Sequence, residues 1–271
     1  MSPSVRLTTR SEADLHSNEQ YFAEQAIVSI PRFFTAGHVV DTHVHSRAQL
    51  VYADVGVMEL YLQGRYWLLP PLKGLWIPAY CQHRMLAKTN VHLKTLYIHV
   101  EPQSLPLPQQ VTGIAVSPLL KELLIRAASI PLNYVDNSFE QRLLQLTLEE
   151  ILHCQKPVLN LPIGQDPRIQ QLCQYLLQHP QDERSLEDWS EQVGASPRTL
   201  MRLFKKELGI GFSLWKEQLK VMHAVQLLVE GKSLSYIASH LGYATQSAFS
   251  VMFKRVTGMT PTQYSKMSLL Q

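Results

Sequence analysis

Hydrophobic and polar residues follow different periods in the two parts of this 271-residue chain. Between residues 26 and 100, short runs rich in Val, Ile, Leu and Tyr alternate with turn signals. Residues 54–56 and the pair Gln63-Gly64 are such signals, because Asp and Gly favour tight turns. They separate three predicted strands at residues 48–53, 58–62 and 66–69. This spacing predicts a small antiparallel β-barrel or sandwich.

The last part of the chain contains one pattern twice. Residues 196–206 and 245–255 share a Phe and the Lys that follows it, and pairs such as Leu200 with Phe249 and Lys206 with Arg255 agree in type. Upstream of the first copy, Leu186, Trp189 and Val193 recur three and four positions apart. That spacing places them on one face of a helix, and a matching series precedes the second copy. The sequence therefore predicts one pair of helices used twice.

Each copy carries signals for a short turn between its two helices. Gly194 and Gly242 can adopt the positive φ with which helices often end. Ser196 and Thr245 can accept backbone N–H groups as N-caps of the next helix, and Pro197 suits the first helical position. Two helices joined by a short turn that contains Gly form the helix-turn-helix motif.

The second copy resembles the signature of a known protein family. The matching residues are Ile237, Ala238, Leu241, Gly242, Tyr243, Ser247, Phe249, Phe253, Lys254, Gly258, Pro261 and Tyr264. Residues 172–264 resemble the paired helix-turn-helix domain of AraC-type (AraC/XylS) bacterial transcription regulators, with Lys220 where Arg is usual. The resemblance implies an α+β protein of two domains, in which an all-α domain at residues 168–271 binds double-stranded DNA.

Charge is distributed unevenly along the chain. Between Gly194 and Gln271 there are ten basic and three acidic residues, whereas residues 1–165 carry thirteen of each. A basic end on a neutral body is typical of a protein with a phosphate-bearing partner. A solvated charged face would give the same count, and the doubled motif favours DNA over that interpretation.

The outward faces of the two second helices supply the candidate DNA contacts. Apolar positions such as Leu200 and Phe253 are predicted to face the core. The early outward positions predict base contacts by Arg198, Thr199, Arg202, Gln246, Ser247 and Ser250. Later positions predict phosphate contacts by Lys205, Lys206, Lys254 and Arg255. Val251 stands where many family members have Arg, so the second unit either contacts a thymine methyl or depends on backbone contacts.

Six of the eleven histidines lie between residues 38 and 99. His43, His45 and Gln49 resemble the first cupin motif, with Gln where Glu is usual, and His83 resembles part of the second. His43 and His45, two apart on a predicted strand, would point to one side. Three imidazoles and an amide oxygen suit a divalent transition metal such as zinc, iron or nickel. The same residues could instead line a pocket for an organic effector.

The remaining segments complete the expected organisation. Residues 1–25 are predicted to be loose, and residues 26–159 to form the cupin-like barrel with accessory helices at about residues 117–155. The apolar stripe of these helices could pack on the barrel or form a dimer seam, and the resemblance favours a homodimer. Residues 160–167 contain two prolines and a glycine and are predicted to be the linker.

Three scattered cysteines fit a reducing compartment and no disulfide framework. The sequence shows no basic-then-apolar leader and no apolar run of about eighteen residues, so neither secretion nor a membrane span is expected. A cytoplasmic location is therefore predicted.

Together these patterns predict a ligand-responsive, sequence-specific DNA-binding regulator, and not an enzyme. The barrel would sense a small-molecule effector and the helical domain would bind a promoter, with RNA polymerase as a further partner of an activator. One alternative is a metal-dependent cupin enzyme that carries a DNA-binding domain, which the histidines favour and Gln49 disfavours. Another is a constitutive DNA binder whose barrel serves only dimerisation.

Overall fold

A computed structural model describes residues 24–99, 106–156 and 158–269 of the chain. Residues 1–23, which form most of the segment predicted to be loose, lie outside the described residues. The described chain folds into a β-sheet lobe with two accessory helices and a C-terminal lobe of helices. Both lobes, and therefore the predicted α+β class, are confirmed.

Within the described residues, ten strands form two five-stranded antiparallel sheets. The first sheet contains, in spatial order, β1 (Ile27–Phe34), β8 (Val91–Ile98), β3 (Ala48–Val55), β6 (Lys73–Ile77) and β9 (Thr112–Ala115). The second contains β10 (Asn160–Pro162), β5 (Arg65–Leu69), β4 (Met58–Leu62), β7 (His83–Ala87) and β2 (Val39–His43). Apolar side chains from both sheets form one buried cluster, and Val51, Leu60 and Leu75 among them are fully buried.

The two predicted hairpin turns are confirmed. Gly56 has a φ of 89° between β3 and β4, and Gln63 and Gly64 have φ values of 50° and 67° between β4 and β5. A Cβ atom at Gly56 would clash with the Asn90 backbone oxygen. The first turn therefore requires glycine for its φ and for the close approach of its neighbour.

Two accessory helices follow the barrel strands, as predicted. They are α1 (Pro118–Ala127) and α2 (Phe139–His153), and Ser117 and Ser138 cap their N-termini. Their buried faces share a core with the first sheet, to which Trp76 and Leu96 contribute. Their other faces expose large apolar side chains to solvent.

The predicted linker, residues 160–167, is corrected at its start. Asn160–Pro162 form β10, which pairs antiparallel with β5 at the edge of the second sheet. The backbone of these residues is therefore used in the sheet, although its Pro content indicated an irregular segment. Proline is tolerated there because an edge strand leaves one row of N–H groups unpaired. Only residues 163–166 connect the strand to the next helix.

The described part of the C-terminal lobe contains seven α-helices. They are α3 (Pro167–Gln178), α4 (Leu186–Val193), α5 (Pro197–Leu203), α6 (Phe212–Val229), α7 (Leu234–His240), α8 (Gln246–Thr257) and α9 (Pro261–Leu269). A single π-helical turn, Phe204–Leu208, extends α5. The helix α6, about 27 Å long at 1.5 Å per residue, joins the pair α4–α5 to the pair α7–α8.

The two lobes share one continuous apolar core. Tyr66, Leu68 and Leu161 of the second sheet belong to the same buried cluster as Leu172 and Met222 of the helices. A hydrogen bond crosses the same contact, because the Trp215 Nε1 of α6 donates to the Pro162 backbone oxygen at 2.9 Å. The helix that joins the two helix-turn-helix pairs therefore rests directly on the sheet lobe.

Of the helices in the described part of the chain, none has the length and apolar content that a membrane span requires.

Candidate DNA-binding surface and sensor site

The first helix-turn-helix unit forms from strong local signals. Ser185 and Asp188 make a capping box at the start of α4, in which each side chain accepts a backbone N–H of the other residue. Gly194 ends the helix with a φ of 65°. The Ser196 hydroxyl then accepts the Thr199 backbone N–H at 3.2 Å and caps α5. The predicted roles of Gly194 in the turn and of Ser196 as the N-cap are confirmed.

The second unit repeats this construction with different residues. Ser233 caps α7, and Gly242 takes a φ of 78° after that helix ends. The Thr245 hydroxyl accepts the Ala248 backbone N–H at 3.1 Å and caps α8. The caps Ser196 and Thr245 lie forty-nine positions apart, which is the offset of the sequence repeat.

The recognition helices α5 and α8 also bury equivalent positions. Three pairs of side chains at the repeat offset are buried in both units, namely Leu200 and Phe249, Leu203 and Met252, and Phe204 and Phe253. Because a helix buries one face, the residues between these pairs point outward in matching directions. Each outward position of α5 that precedes the π-helical turn therefore has a counterpart on α8, forty-nine positions later.

The predicted base-contacting residues occupy this outward face. Arg198, Arg202, Gln246 and Ser247 are exposed, while Thr199 and Ser250 are half-buried. Two of them have hydrogen bonds within the protein. The Thr199 hydroxyl lies 2.9 Å from that of Ser196, and the Gln246 Oε1 accepts the Ser235 hydroxyl at 3.1 Å. Because the Gln246 Oε1 is used in the bond to Ser235, the NH₂ group of this amide stays available to an acceptor on a base.

The predicted phosphate-contacting residues Lys205, Lys206, Lys254 and Arg255 are all exposed. The Lys205 Nζ donates to the Gly209 backbone oxygen at 3.2 Å. The Arg255 guanidinium forms an ion pair with Glu217 of α6 at 2.6 Å, so a phosphate would have to share this guanidinium with a carboxylate. Contacts of all ten DNA-facing residues with the duplex stay predictions.

Replacing Arg202 should change specificity, whereas replacing Lys254 should not. If Arg202 makes the predicted bidentate guanine contact, Arg202→Ala should weaken binding to the preferred site by about 1–3 kcal/mol and relax the preference at one base pair. In Lys254→Ala we expect weaker binding to every sequence alike, since a phosphate contact carries no sequence information. Titrations with the preferred and a scrambled duplex measure both. Equal losses on the two duplexes for Arg202→Ala would contradict the assignment.

Two charged residues near this surface make contacts that the sequence did not predict. The Glu207 carboxylate, at the π-helical end of α5, accepts the backbone N–H groups of Gln165 and Asp166 at 2.9 and 3.0 Å. The Lys220 ammonium of α6 is paired with Glu183 at 2.7 Å and lies 5.0 Å from the centre of the Tyr243 ring. Glu207 is one of only three acidic residues between Gly194 and Gln271, and this rarity is the sequence signal that could have identified it.

The histidine cluster lies in the sheet lobe, at the end of β2 next to β7. His43 pairs with His83 across these strands, beside an irregularity in their register. His45 lies just after β2, in the loop before β3, and not on the strand as predicted. The three rings nevertheless converge, with their possible ligand nitrogens within 4.8 Å of one another. The loop, and not the alternation of a strand, brings His45 to the cluster.

Each ring uses its Nδ1 atom to contact a backbone carbonyl oxygen. The distances are 2.8 Å from His43 to Asp41, 2.6 Å from His45 to Arg47, and 2.9 Å from His83 to Cys81. A carbonyl oxygen only accepts, so each Nδ1 carries the proton and each Nε2 presents a lone pair in the neutral ring. Metal-binding histidines are oriented by the same second hydrogen bond.

Two of these Nε2 atoms lack a suitable partner. The buried His83 Nε2 has no hydrogen-bond partner among the described residues. The His45 Nε2 lies 3.0 Å from the Gln49 Oε1. The Gln49 amide is fixed in this orientation, because its Nε2 donates to the Thr95 Oγ1 at 3.0 Å and to the Tyr97 hydroxyl at 3.1 Å. The His45 Nε2 and the Gln49 Oε1 are therefore two hydrogen-bond acceptors that face each other, unless the His45 ring gains a second proton.

Burial opposes that second proton. Desolvation lowers the pKa of His45, although its hydrogen bonds partly offset the effect. Desolvation, with repulsion from His43, lowers the pKa of His83 to about 3. Both rings are therefore neutral near pH 7, and the cluster can supply lone pairs to a cation. The residues present thus fit a divalent transition metal. Thr95 and Tyr97 support Gln49, and of these two only Thr95 was not indicated by the sequence.

Two family models match the chain. One described as an AraC-like ligand binding domain matches residues 32–152, and one described as a helix-turn-helix domain matches residues 189–267. The HTH-type transcriptional regulator NimR of Escherichia coli K12 is 31% identical over 222 residues, which cover 82% of this chain and 81% of that protein. The regulator RipA of Corynebacterium glutamicum is 36% identical over 104 residues, which cover 38% of this chain and 31% of that protein.

Solved structures of similar proteins complete the comparison. ToxT from Vibrio cholerae O395 covers 91% of this chain and 99% of its own, with a TM-score of 0.40 and 12% identity. The C-terminal domain of AraT from Geobacillus stearothermophilus covers 39% of this chain and 89% of its own, with a TM-score of 0.37 and 32% identity. Matched in both of its parts and over most of the length of NimR, the chain belongs to the AraC-type family of transcription regulators and is a ligand-responsive, sequence-specific DNA-binding protein.

Proposed function

We propose that the histidine cluster is the sensor site of this regulator and that it takes a divalent transition metal, namely zinc, iron or nickel. The ligands would be the Nε2 atoms of His43, His45 and His83 and the Oε1 of Gln49. The observation that carries the proposal is the pair of unsatisfied contacts at the buried His83 Nε2 and between His45 and Gln49. A bound cation would satisfy both contacts. It accepts lone pairs from the His45 and His83 nitrogens and the Gln49 oxygen, and none of these atoms has a hydrogen-bond donor facing it among the described residues.

Occupancy of this site can affect the DNA-binding lobe through the second sheet. His43 and His83 lie on β2 and β7, and the same sheet carries β10, whose Pro162 accepts the Trp215 hydrogen bond. A ligand can shift the protein only if it binds two arrangements of the chain with different affinity. We infer that the bound ion favours one packing of the sheet against α6 and thereby one spacing of the two recognition helices.

Metal content tests the proposal directly. The full-length protein without a histidine tag, dialysed against zinc, nickel or iron(II), should retain about one ion per chain, since the proposed ligands form a single site. We expect His83→Leu to retain almost none, while His92→Leu, a change at an exposed histidine of the same lobe, should retain as much as the wild type. Affinity for the preferred duplex, measured with and without a chelator, then reports whether the ion is an effector.

A sub-stoichiometric ion content in the wild type would contradict the metal proposal. The DNA-binding function does not depend on that outcome. In that case the same cluster, with Gln49 and Tyr97, would line a site for an uncharged organic effector, which is the alternative to a metal that the sequence analysis allows.

We also propose that the protein acts as a homodimer. The accessory helices and the segment between them expose large apolar side chains, namely Leu119, Ile125, Val135, Phe139 and Leu146. Such a patch supports a protein–protein contact. Sedimentation of the wild type and of Leu119→Asp with Phe139→Asp should distinguish a dimer from a monomer, and a monomeric wild type would remove this proposal.

The remaining expectations follow from the regulator class. We propose that the protein catalyses no reaction, that it acts in the cytoplasm where its DNA partner lies, and that an activating role would require contact with RNA polymerase. Turnover of a small oxidisable or isomerisable substrate by the metal-loaded protein would instead favour the enzyme alternative. Unchanged promoter affinity with and without every bound effector would favour the constitutive alternative.

A further inference from the structure

Residue 251 has a defined counterpart in the first unit. Arg202 and Val251 lie forty-nine positions apart, and each is followed directly by two buried apolar residues of its helix. Since the buried pairs of α5 and α8 coincide, Arg202 and Val251 leave the two helices in the same direction. Arg202 lies before the π-helical turn of α5, so this turn does not disturb the correspondence.

Val251 is 70% exposed on a helix face that also carries Ser247 and Lys254. A single exposed valine indicates nothing by itself, since apolar atoms contribute much of any protein surface. Its position is what distinguishes it. Ser247, one turn earlier on the same face, is among the predicted base contacts, and Lys254, one turn later, is among the predicted phosphate contacts.

We propose that Val251 is the specificity-determining residue of the second unit and contacts the 5-methyl group of a thymine, whereas Arg202 contacts a guanine at the equivalent place in the first unit. The proposal rests on the sequence-specific DNA binding of this family and goes beyond it by assigning different bases to the two units. The preferred site would then be asymmetric, with the guanine and the thymine in the two successive segments that the units contact.

The chemistry of the major groove supports thymine over the other bases. Thymine alone presents a methyl group there, while the other base edges present only hydrogen-bond donors and acceptors. The valine side chain can neither donate nor accept, so it would desolvate a polar edge without replacing the lost hydrogen bonds. A thymine methyl loses no hydrogen bond on contact and removes apolar surface of both partners from water.

The experiment removes the methyl group from the DNA. Selection from a randomised duplex library with the full-length protein first gives the preferred site. Each thymine of that site is then replaced singly by deoxyuridine, which differs from thymidine only in lacking the 5-methyl group. We expect one replacement, in the segment contacted by the second unit, to weaken binding about fourfold, as the loss of one buried methyl-sized group predicts.

Variants connect this effect to the residue. In Val251→Ser the same deoxyuridine replacement should leave binding unchanged, because the apolar contact is already absent. In Arg202→Ala, the matched control in the other unit, the fourfold effect should persist. Renewed selection with Val251→Arg should change the preferred base at that position from thymine to guanine. All three substitutions are at exposed positions and should leave the fold intact, which circular dichroism verifies.

Two results would overturn the proposal. One is that no single deoxyuridine replacement weakens binding of the wild type by more than about twofold, which is less than a buried methyl contributes. The other is that the fourfold loss persists in Val251→Ser. Failure of the selection to give any preferred site is a different outcome, because it would contradict sequence-specific binding itself and the proposal with it.

Discussion

Trp215→Ala should lower the free energy of unfolding by about 3–5 kcal/mol, the range typical of a fully buried aromatic residue reduced to alanine. Trp215 is completely buried in the core that both lobes share. Its ring packs edge-on against Phe204, with the ring centres 6.4 Å apart, and its Nε1 donates to the Pro162 oxygen. The substitution leaves a cavity between α5, α6 and β10 and removes the only donor of that hydrogen bond among the described residues.

Urea unfolding followed by circular dichroism measures this loss. Leu214→Ala is the matched control, because Leu214 precedes Trp215 in α6 but is 42% exposed, so we expect a change below about 1 kcal/mol. Trp215→Phe should give an intermediate loss, since it keeps most of the apolar volume and removes the donor. If Trp215→Ala and Leu214→Ala lowered stability equally, the shared core would not have the importance assigned to it.

Acidification should destabilise the protein through His223, and His223→Asn should reduce this sensitivity. The ring lies on α6, and its buried Nε2 has no partner among the described residues. Desolvation lowers the pKa of His223 from 6.5 to about 4, with repulsion from the Lys88 and His240 charges adding to the effect and a backbone hydrogen bond at Leu177 opposing it.

The sign of this pH dependence follows from how the folded and the unfolded chain bind protons. Between pH 6.5 and pH 4 the unfolded chain binds a proton at position 223 that the folded chain resists, so stability is fully present above pH 6.5 and falls as the pH falls. A single group with these pKa values costs about 2 kcal/mol at pH 5 and about 3 kcal/mol at pH 4.

Unfolding of the wild type and of His223→Asn, compared at pH 7.5 and pH 5, tests this prediction. Other groups titrate in the same range, but they are common to both proteins and cancel in the difference. We expect the wild type to lose about 2 kcal/mol more than the variant. The exposed-site variant His92→Asn should behave as the wild type does. Parallel losses in the wild type and His223→Asn would exclude His223 as the source.

The two helix-turn-helix units of the helical lobe could be predicted from the sequence, because their signals are local. Caps such as Ser196 and Thr245, and glycines such as Gly194, fix helix ends through contacts within a few residues. The apolar spacing of each helix then determines which face is buried. The outward positions follow from the same spacing, so the exposed placement of Arg202 is predictable from the residues of its own helix.

The features that the sequence did not indicate depend on residues far apart in the chain. Asn160–Pro162 form a strand only because β5, about ninety residues earlier, offers an unpaired edge. His45 joins the cluster through a loop whose path is fixed by its neighbours, and Glu207 finds its backbone partners about forty positions upstream. No local period or propensity encodes such pairings.

The short connection after β10 has a consequence for exchanging sensors between relatives. Residues 163–166 can span at most about 14 Å, so the two lobes cannot separate widely whatever the effector does. A chimera joined at residue 159 would separate β10 from β5, the strand of its own barrel with which it pairs, and place β10 against a foreign edge. A functional chimera should therefore be joined after Pro162, and its new barrel must offer α6 a surface of the same shape.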